Sequence, residues 1–155
     1  MKSIFYYEFP FCEVGIAEDS GAVTHVIFKK NGVPDGYAEA ETPLLKKAAG
    51  QLSEYFEGAR TVFDLPLRLH GTEFQQKVWA ALCTIPYGET RSYKQIAEQT
   101  GNPRACRAVG MANNRNPVSI IVPCHRVVGH NGALTGYGGG LPAKEYLLKL
   151  EKGHG

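Results

Sequence analysis

The spacing of apolar residues changes along this 155-residue chain, and the change divides it into regions of different predicted structure. The first thirty residues hold aromatic and β-branched runs, separated by proline or glycine, that are typical of strands in a small antiparallel sheet. These runs are 4–7, 12–17 and 23–28. Residues 42–58 instead carry apolar side chains at helical spacing, after Thr42-Pro43, a predicted cap followed by a first-turn proline. The pattern predicts a sheet with a helix covering one face.

The rest of the chain is predicted to be mostly helical. Loops are expected at residues 32–41 and 59–71. One helix is expected to begin at Thr72 and to end before the Pro-Tyr-Gly break at residues 86–88, and a final helix is expected over residues 142–152. Together with the N-terminal sheet, these helices predict a mixed α/β (α+β) fold.

Two short helices are predicted between the helix that begins at Thr72 and the final helix. Ser92 and Gln95 have the spacing of a capping box, which begins a helix that ends at Gly101. Asn102-Pro103 is expected to cap the next helix, which carries several arginines. Short helices joined by a tight glycine-containing turn are typical of a helix-turn-helix unit, although many helical hairpins bind nothing.

Charge differs between the two predicted domains, 1–70 and 71–155. The chain has a formal net charge of +2 at neutral pH. Residues 1–70 hold seven lysines or arginines against ten acidic residues, whereas residues 71–130 hold seven against three. A polyanion such as DNA would therefore prefer the second region, although charge of this size is also found on ordinary solvated surfaces.

The four cysteines are predicted to be free thiols, because none has the spacing of a metal-binding pair and the chain shows no sign of export. Glu8, Pro10 and Glu13 interrupt the apolar stretch near the N-terminus, so neither a signal-peptide core nor a membrane span is predicted. We expect a cytoplasmic monomer without a metal site and without a cofactor.

The densest group of reactive side chains is Cys124-His125-Arg126. It follows a β-branched run, 118–122, that is predicted to be a buried strand, and Pro123 restricts the backbone between them. His125 and Arg126 could each favour the thiolate of Cys124, His125 through a bridging water because adjacent side chains of an extended chain point apart. A packed structural cysteine beside a surface histidine is the alternative reading of such a pair.

A longer string around this cysteine favours the reactive reading. It resembles the active-site signature of the O6-alkylguanine-DNA alkyltransferases and reads Asn116-Pro117, then Ile120-Ile121-Val122-Pro123-Cys124-His125-Arg126-Val127-Val128. The resemblance extends over residues 72–152 and includes Arg107-Ala108-Val109-Gly110. It implies a small N-terminal ribonuclease-H-like sheet with helices, followed by a mostly helical domain that contains a winged helix-turn-helix-like unit.

The resemblance implies roles for the matching residues. Cys124 would accept the alkyl group, with His125 acting as its base through a water molecule and Glu145 orienting His125. Asn116 would be the hinge residue that ties the helix-turn-helix unit to the active-site turn. Tyr93 would protonate guanine at N3 as its oxygen leaves, a task that suits a phenol because it stays protonated at neutral pH.

The resemblance also implies how DNA is held. The helix-turn-helix unit would enter the minor groove, and Arg107 would fill the space that a flipped nucleotide leaves. Further basic residues would contact phosphates regardless of sequence, among them Arg91, Lys94, Arg104 and Arg115. Arg126 is also expected to bind DNA. The base would lie in a pocket that includes Tyr137, Val127, Val128 and Gly139.

The implied activity is direct-reversal DNA repair, in which O6-alkylguanine in double-stranded DNA gives its alkyl group irreversibly and stoichiometrically to Cys124. Activity on O4-methylthymine is left open. One alternative is a non-catalytic lesion binder of the same fold, which would carry a different residue in place of Cys124. Another is a Cys-His hydrolase or acyltransferase, which would need an oxyanion hole that the sequence does not identify.

Overall fold

The structure is a computed structural model that describes residues 2–28, 34–129, 132, 137 and 140–154. The N-terminal part contains strands β1 to β4 and helix α1, which are Lys2–Glu8, Glu13–Asp19, Ala22–Phe28, Ala38–Glu39 and Pro43–Phe56. The C-terminal part contains α2 (Glu73–Leu82), β5 (Arg91–Ser92), α3 (Tyr93–Gln99), α4 (Cys106–Asn114), a 3₁₀ turn (Cys124–Arg126), β6 (Val127–Val128) and α5 (Leu141–His154). The predicted mixed fold is confirmed.

The N-terminal sheet has the strand order β3-β2-β1-β4. The three antiparallel strands β1, β2 and β3 match the predicted runs. The prediction of a loop over residues 32–41 is wrong at β4, which pairs in parallel with β1 through Ser3 and Ile4. Both residues of β4 are exposed, so this short edge strand shows no alternation of apolar and polar residues in the sequence.

Helix α1 begins and ends as its sequence predicts. The Thr42 hydroxyl accepts a hydrogen bond from the Leu45 amide at 3.2 Å, and Pro43 occupies the first turn. After Phe56 the chain turns at Gly58, which has φ of 78°. The buried face of α1 packs against the sheet and extends to Tyr55 in the last turn. This helix therefore carries an N-terminal side chain to the centre of the molecule.

Helix α2 is packed closely against the chain that precedes it. A Cβ atom placed on Gly71 would lie 2.5 Å from the ring of Trp79 and 2.6 Å from the side chain of Gln75, so only glycine fits here. The indole Nε1 of Trp79 donates to the carbonyl of Ala112 in α4 at 2.9 Å. The position of α4 therefore depends on the packing around Gly71.

The helix-turn-helix unit consists of α3 and α4. Helix α3 begins with the predicted capping box of Ser92 and Gln95. Asn102 does not cap α4: its side chain accepts from the amide of Arg104 at 3.1 Å and forms a separate turn, and α4 begins after Ala105 without a side-chain cap. A small parallel sheet of β5 and β6 lies beside the unit.

The predicted strand over residues 118–122 is a turn. Its backbone pairs only at Val118, which forms a single bridge with Val26. The Val122 amide then bonds back to the Val118 carbonyl at 3.0 Å, and Ile120 has φ of 73°. The run is largely buried, as predicted, but the left-handed residue prevents an extended conformation.

One apolar core runs through both predicted domains. Backbone bridges join them at Val23 with Leu67 and at Val26 with Val118. The division at residue 70 therefore stays a prediction. No helix in the described part of the chain is long and apolar enough to cross a membrane.

Candidate active site and nucleic-acid interface

Cys124 begins a 3₁₀ turn instead of ending a strand. Its side chain is 3% exposed, so the thiol lies within the core. Burial raises the pKa of Cys124 to about 11, although Asn116, Lys144 and Tyr137 lie close enough to oppose that rise. The thiol is therefore protonated at neutral pH and needs a base before it can act as a nucleophile.

Asn116 stabilises the turn that carries Cys124. Its side-chain amide donates to the carbonyl of Val122 at 2.8 Å and to that of Val118 at 3.3 Å. Its carbonyl oxygen accepts from the Val118 amide at 3.0 Å. Because Asn116 follows directly on the cap of α4, these bonds tie the helix-turn-helix unit to the turn. The predicted hinge role is consistent with this position and stays a prediction.

His125 is fully buried and its Nε2 lies 2.6 Å from Oε2 of Glu151. An ionised carboxylate only accepts hydrogen bonds, so Nε2 carries the hydrogen and Nδ1 has a free lone pair. Within the described residues this Nδ1 is buried and has no hydrogen-bond partner. Burial, together with the charges of Arg126 and Lys144, lowers the pKa of His125 below its usual value, although Glu151 opposes this decrease. The imidazole is therefore a neutral base at neutral pH.

The carboxylate that bonds His125 is Glu151, which corrects the expectation that Glu145 would do so. Glu145 is exposed and pairs with Lys149 on the outside of α5, with 2.8 Å between their charged atoms. A sequence signal for Glu151 exists, since it follows the buried Leu147 by four residues and so lies on the same face of the helix. Glu145 does not lie on that face, and it cannot orient His125.

Glu151 also binds Arg126. The guanidinium donates from Nε at 2.8 Å and from Nη2 at 3.0 Å, while its Nη1 donates to the carbonyl of Ile85 at 2.7 Å. Arg126 is only 7% exposed, so its predicted contact with DNA is wrong. Burial alone would raise the pKa of Glu151, but hydrogen bonds from His125, Arg126 and Tyr55 outweigh it and lower that pKa to about 2. We call Tyr55, His125, Arg126 and Glu151 the buried charge cluster.

Lys144 is a further buried cation that the sequence analysis missed. Burial lowers its pKa to about 8, and the nearby Cys124 partly opposes this decrease. Its Nζ also lies 6.0 Å from the ring centroid of Tyr93. A cation near the thiol favours the thiolate form of Cys124. Lys144 lies on the buried face of α5, three residues before Leu147, and that spacing is the sequence signal for it.

Asn113 is a second residue that the sequence analysis missed. It is buried in α4, and its amide donates to the carbonyl of Cys124 at 3.3 Å. Its Oδ1 has no hydrogen-bond partner among the described residues. Nothing in the sequence distinguishes Asn113 from its exposed neighbour Asn114, except that helical spacing places it on the face of Val109.

The predicted pocket residues lie around this site. Tyr93 is half-buried at the first position of α3, and Tyr137 is buried. Burial, followed by the nearby Cys124, raises the pKa of Tyr137 well above its usual value. Val127 and Val128 are buried in β6. Gly139 lies outside the described residues.

The other predicted DNA contacts form an exposed surface on and around α3 and α4. We call it the basic face; it makes no ion pair within the described part of the chain and consists of Lys94, Arg104, Arg107 and Arg115. Arg91 is half-buried and pairs with Glu89 at 3.1 Å. Arg107 lies in α4 and Arg115 is the cap residue after it, eight positions later, with the exposed Met111 between them on the same side. This face is free to meet a polyanion.

A helix-turn-helix unit beside a buried cysteine and histidine defines a DNA-binding protein with a nucleophilic thiol. Comparison with known proteins agrees. Residues 73–153 match the family model described as 6-O-methylguanine DNA methyltransferase, DNA binding domain, and residues 5–69 match that of its ribonuclease-like domain. The chain belongs to the 6-O-methylguanine DNA methyltransferase family.

Individual relatives support the same assignment. A methylated-DNA--protein-cysteine methyltransferase of Methanosarcina acetivorans is 53% identical over 94% of this chain and 95% of its own length. The crystal structure of the Mycobacterium tuberculosis O6-methylguanine methyltransferase has a TM-score of 0.92 and 45% identity, over 100% of this chain and 95% of that one. A structure of the M. tuberculosis protein in complex with DNA has a TM-score of 0.93 and 46% identity, over 98% of this chain and 94% of that one.

Proposed function

We propose that this chain repairs DNA by direct reversal: it moves the alkyl group from O6 of guanine to the Sγ atom of Cys124, where the group stays. The observation that carries the proposal is the state of His125. Its Nε2 hydrogen is held by Glu151, and its Nδ1 is a free, buried base beside the residue that bears the thiol. A neutral imidazole held in one tautomer is suited to remove a thiol proton.

The thiol proton passes to Nδ1 of His125, through one water molecule. The Sγ atom of Cys124 then attacks the alkyl carbon, so that an S–C bond forms while the C–O6 bond breaks and its electron pair goes to the guanine oxygen. The positive charge of Lys144 near the thiol stabilises the thiolate before attack. Glu151, already ionised, stabilises the imidazolium that results.

Tyr93 supplies the proton that the leaving guanine needs. Its hydroxyl donates to N3 of the base as negative charge develops there, and the proton held by His125 later restores the overall balance. The net change converts a thiol and an alkoxy purine into a thioether and a normal guanine. A thioether is not cleaved by ordinary thiols, so each chain acts once.

The substrate is double-stranded DNA, held from its minor groove. The O6 atom lies inside the duplex, so the nucleotide must be flipped out at a cost of about a few kcal/mol. Arg107 is exposed on α4 and has no ion-pair partner within the described residues, which leaves it available to occupy the vacated space. The rest of the basic face contacts phosphates, and Tyr137, Val127 and Val128 line the base pocket.

The test is the stoichiometry of transfer from an excess of duplex that carries O6-methylguanine with a radioactive methyl group. The expected plateau is one methyl group per chain. Cys124→Ala is expected to bind the lesion duplex but to take up no label. Cys83→Ala, which removes an exposed thiol, is the matched control and is expected to behave as wild type. Lesion binding without any transfer by the wild type would instead indicate a non-catalytic lesion binder, and repeated turnover would contradict the proposal.

A further inference from the structure

Tyr55 is the one member of the buried charge cluster that comes from the N-terminal part of the described chain. It lies in the last turn of α1 and is fully buried. Its hydroxyl is 2.6 Å from Oε2 of Glu151, the same oxygen that accepts the hydrogen bond from His125. Two short hydrogen bonds, from residues 70 positions apart, therefore converge on one carboxylate oxygen. The same oxygen also accepts a longer hydrogen bond from Nη2 of Arg126, at 3.0 Å.

The Tyr55 hydroxyl is always the donor in this contact. Burial, and then the charge of Glu151, raise the pKa of Tyr55 far above its usual value. A phenol that keeps its proton beside an ionised carboxylate can only donate to it, and hydrogen bonds to an anion are shorter and stronger than neutral ones. Tyr55 therefore fixes the position of Oε2 and reduces the negative charge that this oxygen presents to His125.

We infer that Tyr55 is a positioning residue for alkyl transfer: by donating to Glu151 it holds the carboxylate against His125 and limits how strongly His125 binds a proton. The inference rests on the proposed function, in which His125 is the base. It gives the N-terminal part an indirect role in the chemistry, through the carboxylate of Glu151.

The direction of the effect follows from the shared oxygen. In Tyr55→Phe, Oε2 loses one donor and presents more negative charge to the imidazole. The imidazolium is then better stabilised, so the pKa of His125 rises. A base with a higher pKa becomes protonated, and inactive, at higher pH. The rate of transfer falls on the acidic side of its pH profile as His125 becomes protonated. This fall is therefore expected to occur at higher pH in Tyr55→Phe.

Several other ionisable groups face this cluster and must stay constant in the comparison. They come from each packed element and are Cys83 and Tyr87 after α2, Cys124 in the 3₁₀ turn, Tyr137, and Lys144 in α5. Tyr87 provides a matched control. Its ring lies 5.7 Å from the Arg126 guanidinium and 6.1 Å from the Tyr55 ring, but its buried hydroxyl has no hydrogen-bond partner among the described residues. Tyr87→Phe removes a hydroxyl from the same surroundings without removing a bond to Glu151.

The first readout needs no DNA. Nitrogen-15 NMR of the histidine rings gives the tautomer and the pKa of His125 in the wild type, Tyr55→Phe and Tyr87→Phe. We expect the pKa of His125 to rise by about half a unit or more in Tyr55→Phe and to be unchanged in Tyr87→Phe. Equal titration of His125 in all three proteins would overturn the inference.

A wild-type measurement covers the case in which Tyr55→Phe fails to fold. The Tyr55 hydroxyl proton is expected as a slowly exchanging downfield resonance with a nuclear Overhauser effect to the Nε2 hydrogen of His125. A Tyr55 hydroxyl that exchanges rapidly with water and shows no such contact would contradict the geometry on which the inference depends.

The second readout is the single-turnover rate of methyl transfer between pH 5 and pH 9. The acidic limb is expected to move to higher pH by about the same half unit in Tyr55→Phe, whereas Tyr87→Phe follows the wild type. If the wild type transfers methyl groups to Cys124 but the limb of Tyr55→Phe is unmoved, the inference alone fails. If the wild type transfers none, the proposed function fails, whatever the NMR titrations show.

Discussion

The buried charge cluster and the basic face hold similar residue types in opposite surroundings. In the cluster, the carboxylate of Glu151 is 1% exposed and accepts hydrogen bonds from three side chains. On the basic face, Arg107 and its neighbours are exposed and make no ion pair within the described part of the chain. Water and salt screen exposed charges, while buried ones act strongly on each other.

Because of this difference, the two regions respond differently to substitution. Removing one partner from a buried cluster leaves an uncompensated charge, so effects are large and fall on structure and chemistry together. Removing one exposed cation leaves the fold intact and changes only the contact with DNA, in a way that depends on salt. Variants of the two regions should therefore differ in both the size and the kind of their effects.

The largest effect is expected for Glu151→Gln. The change leaves the buried Arg126 without its counterion, removes the charge that stabilises a protonated His125, and replaces one accepting oxygen with an amide donor. We expect a loss of about 3–5 kcal/mol of stability and a fall of at least about 100-fold in transfer rate. The matched control is Glu145→Gln, which removes an exposed carboxylate from the same helix and should leave both the melting temperature and the rate unchanged. A Glu145→Gln variant as impaired as Glu151→Gln would contradict the assignment of the orienting residue.

The next largest effect is expected for Gly71→Ala. The added methyl group collides with Trp79, which also holds α4 through its indole hydrogen bond. We expect a loss of about 1–3 kcal/mol in the free energy of unfolding, measured by urea denaturation. Gly50→Ala is the control: it lies in α1 with no atom within 4 Å of the new Cβ, and it should gain about 0.5–1 kcal/mol. A shift of stability in the same direction in both variants would contradict the close packing of Trp79 against Gly71.

A smaller effect is expected for Arg107→Ala, on one substrate only. If Arg107 fills the space left by the flipped nucleotide, its loss should slow repair of duplex DNA by about tenfold, as expected when an inserted side chain is removed. Transfer from free O6-methylguanine base should change little, because no base stack is involved. Rates on the two substrates are compared in single-turnover reactions. An equal loss on both would remove Arg107 from this role.

The smallest effects are expected for single phosphate contacts. Lys94→Ala and Arg104→Ala should each weaken binding to undamaged duplex several-fold and reduce the slope of log affinity against log salt by about 0.9. Arg60→Ala, which removes a half-buried arginine paired with Glu54 in the N-terminal part, should leave the slope unchanged. Fluorescence anisotropy at four salt concentrations gives each slope. If the slopes for Lys94→Ala and Arg104→Ala match that of the wild type, these residues do not contact DNA phosphates.

Much of the fold could be predicted from local signals. The strands, the start of α2 at Thr72, the capping box of α3 and the N-terminal cap of α1 depend on residues that are close together in the sequence. The turn at residues 118–122 could not be predicted in this way, because a buried β-branched run has the same composition whether it is extended or turned. Its conformation depends on the side chain of Asn116 and on the left-handed backbone of Ile120.

The nucleophile and its base could likewise be found from neighbouring residues, but their supporting side chains could not. Tyr55 and Glu151 are 96 positions apart and meet only when α1 and α5 pack together. Glu145 matched the expected residue type near the C-terminus, whereas the helical spacing from Leu147 distinguishes Glu151 as the buried carboxylate. Periodicity within α5 was therefore a better guide than the residue type alone.

The central claim is that the buried thiol of Cys124 is the acceptor. Its most direct test is the intact mass of the protein after incubation with duplex that contains O6-methylguanine, followed by peptide mapping of all four cysteines. We predict a gain of about 14 Da, the mass of one methyl group, confined to the peptide that contains Cys124. The same gain on Cys12, Cys83 or Cys106, or no gain from a duplex that the protein binds, would contradict the assignment of Cys124 as the acceptor.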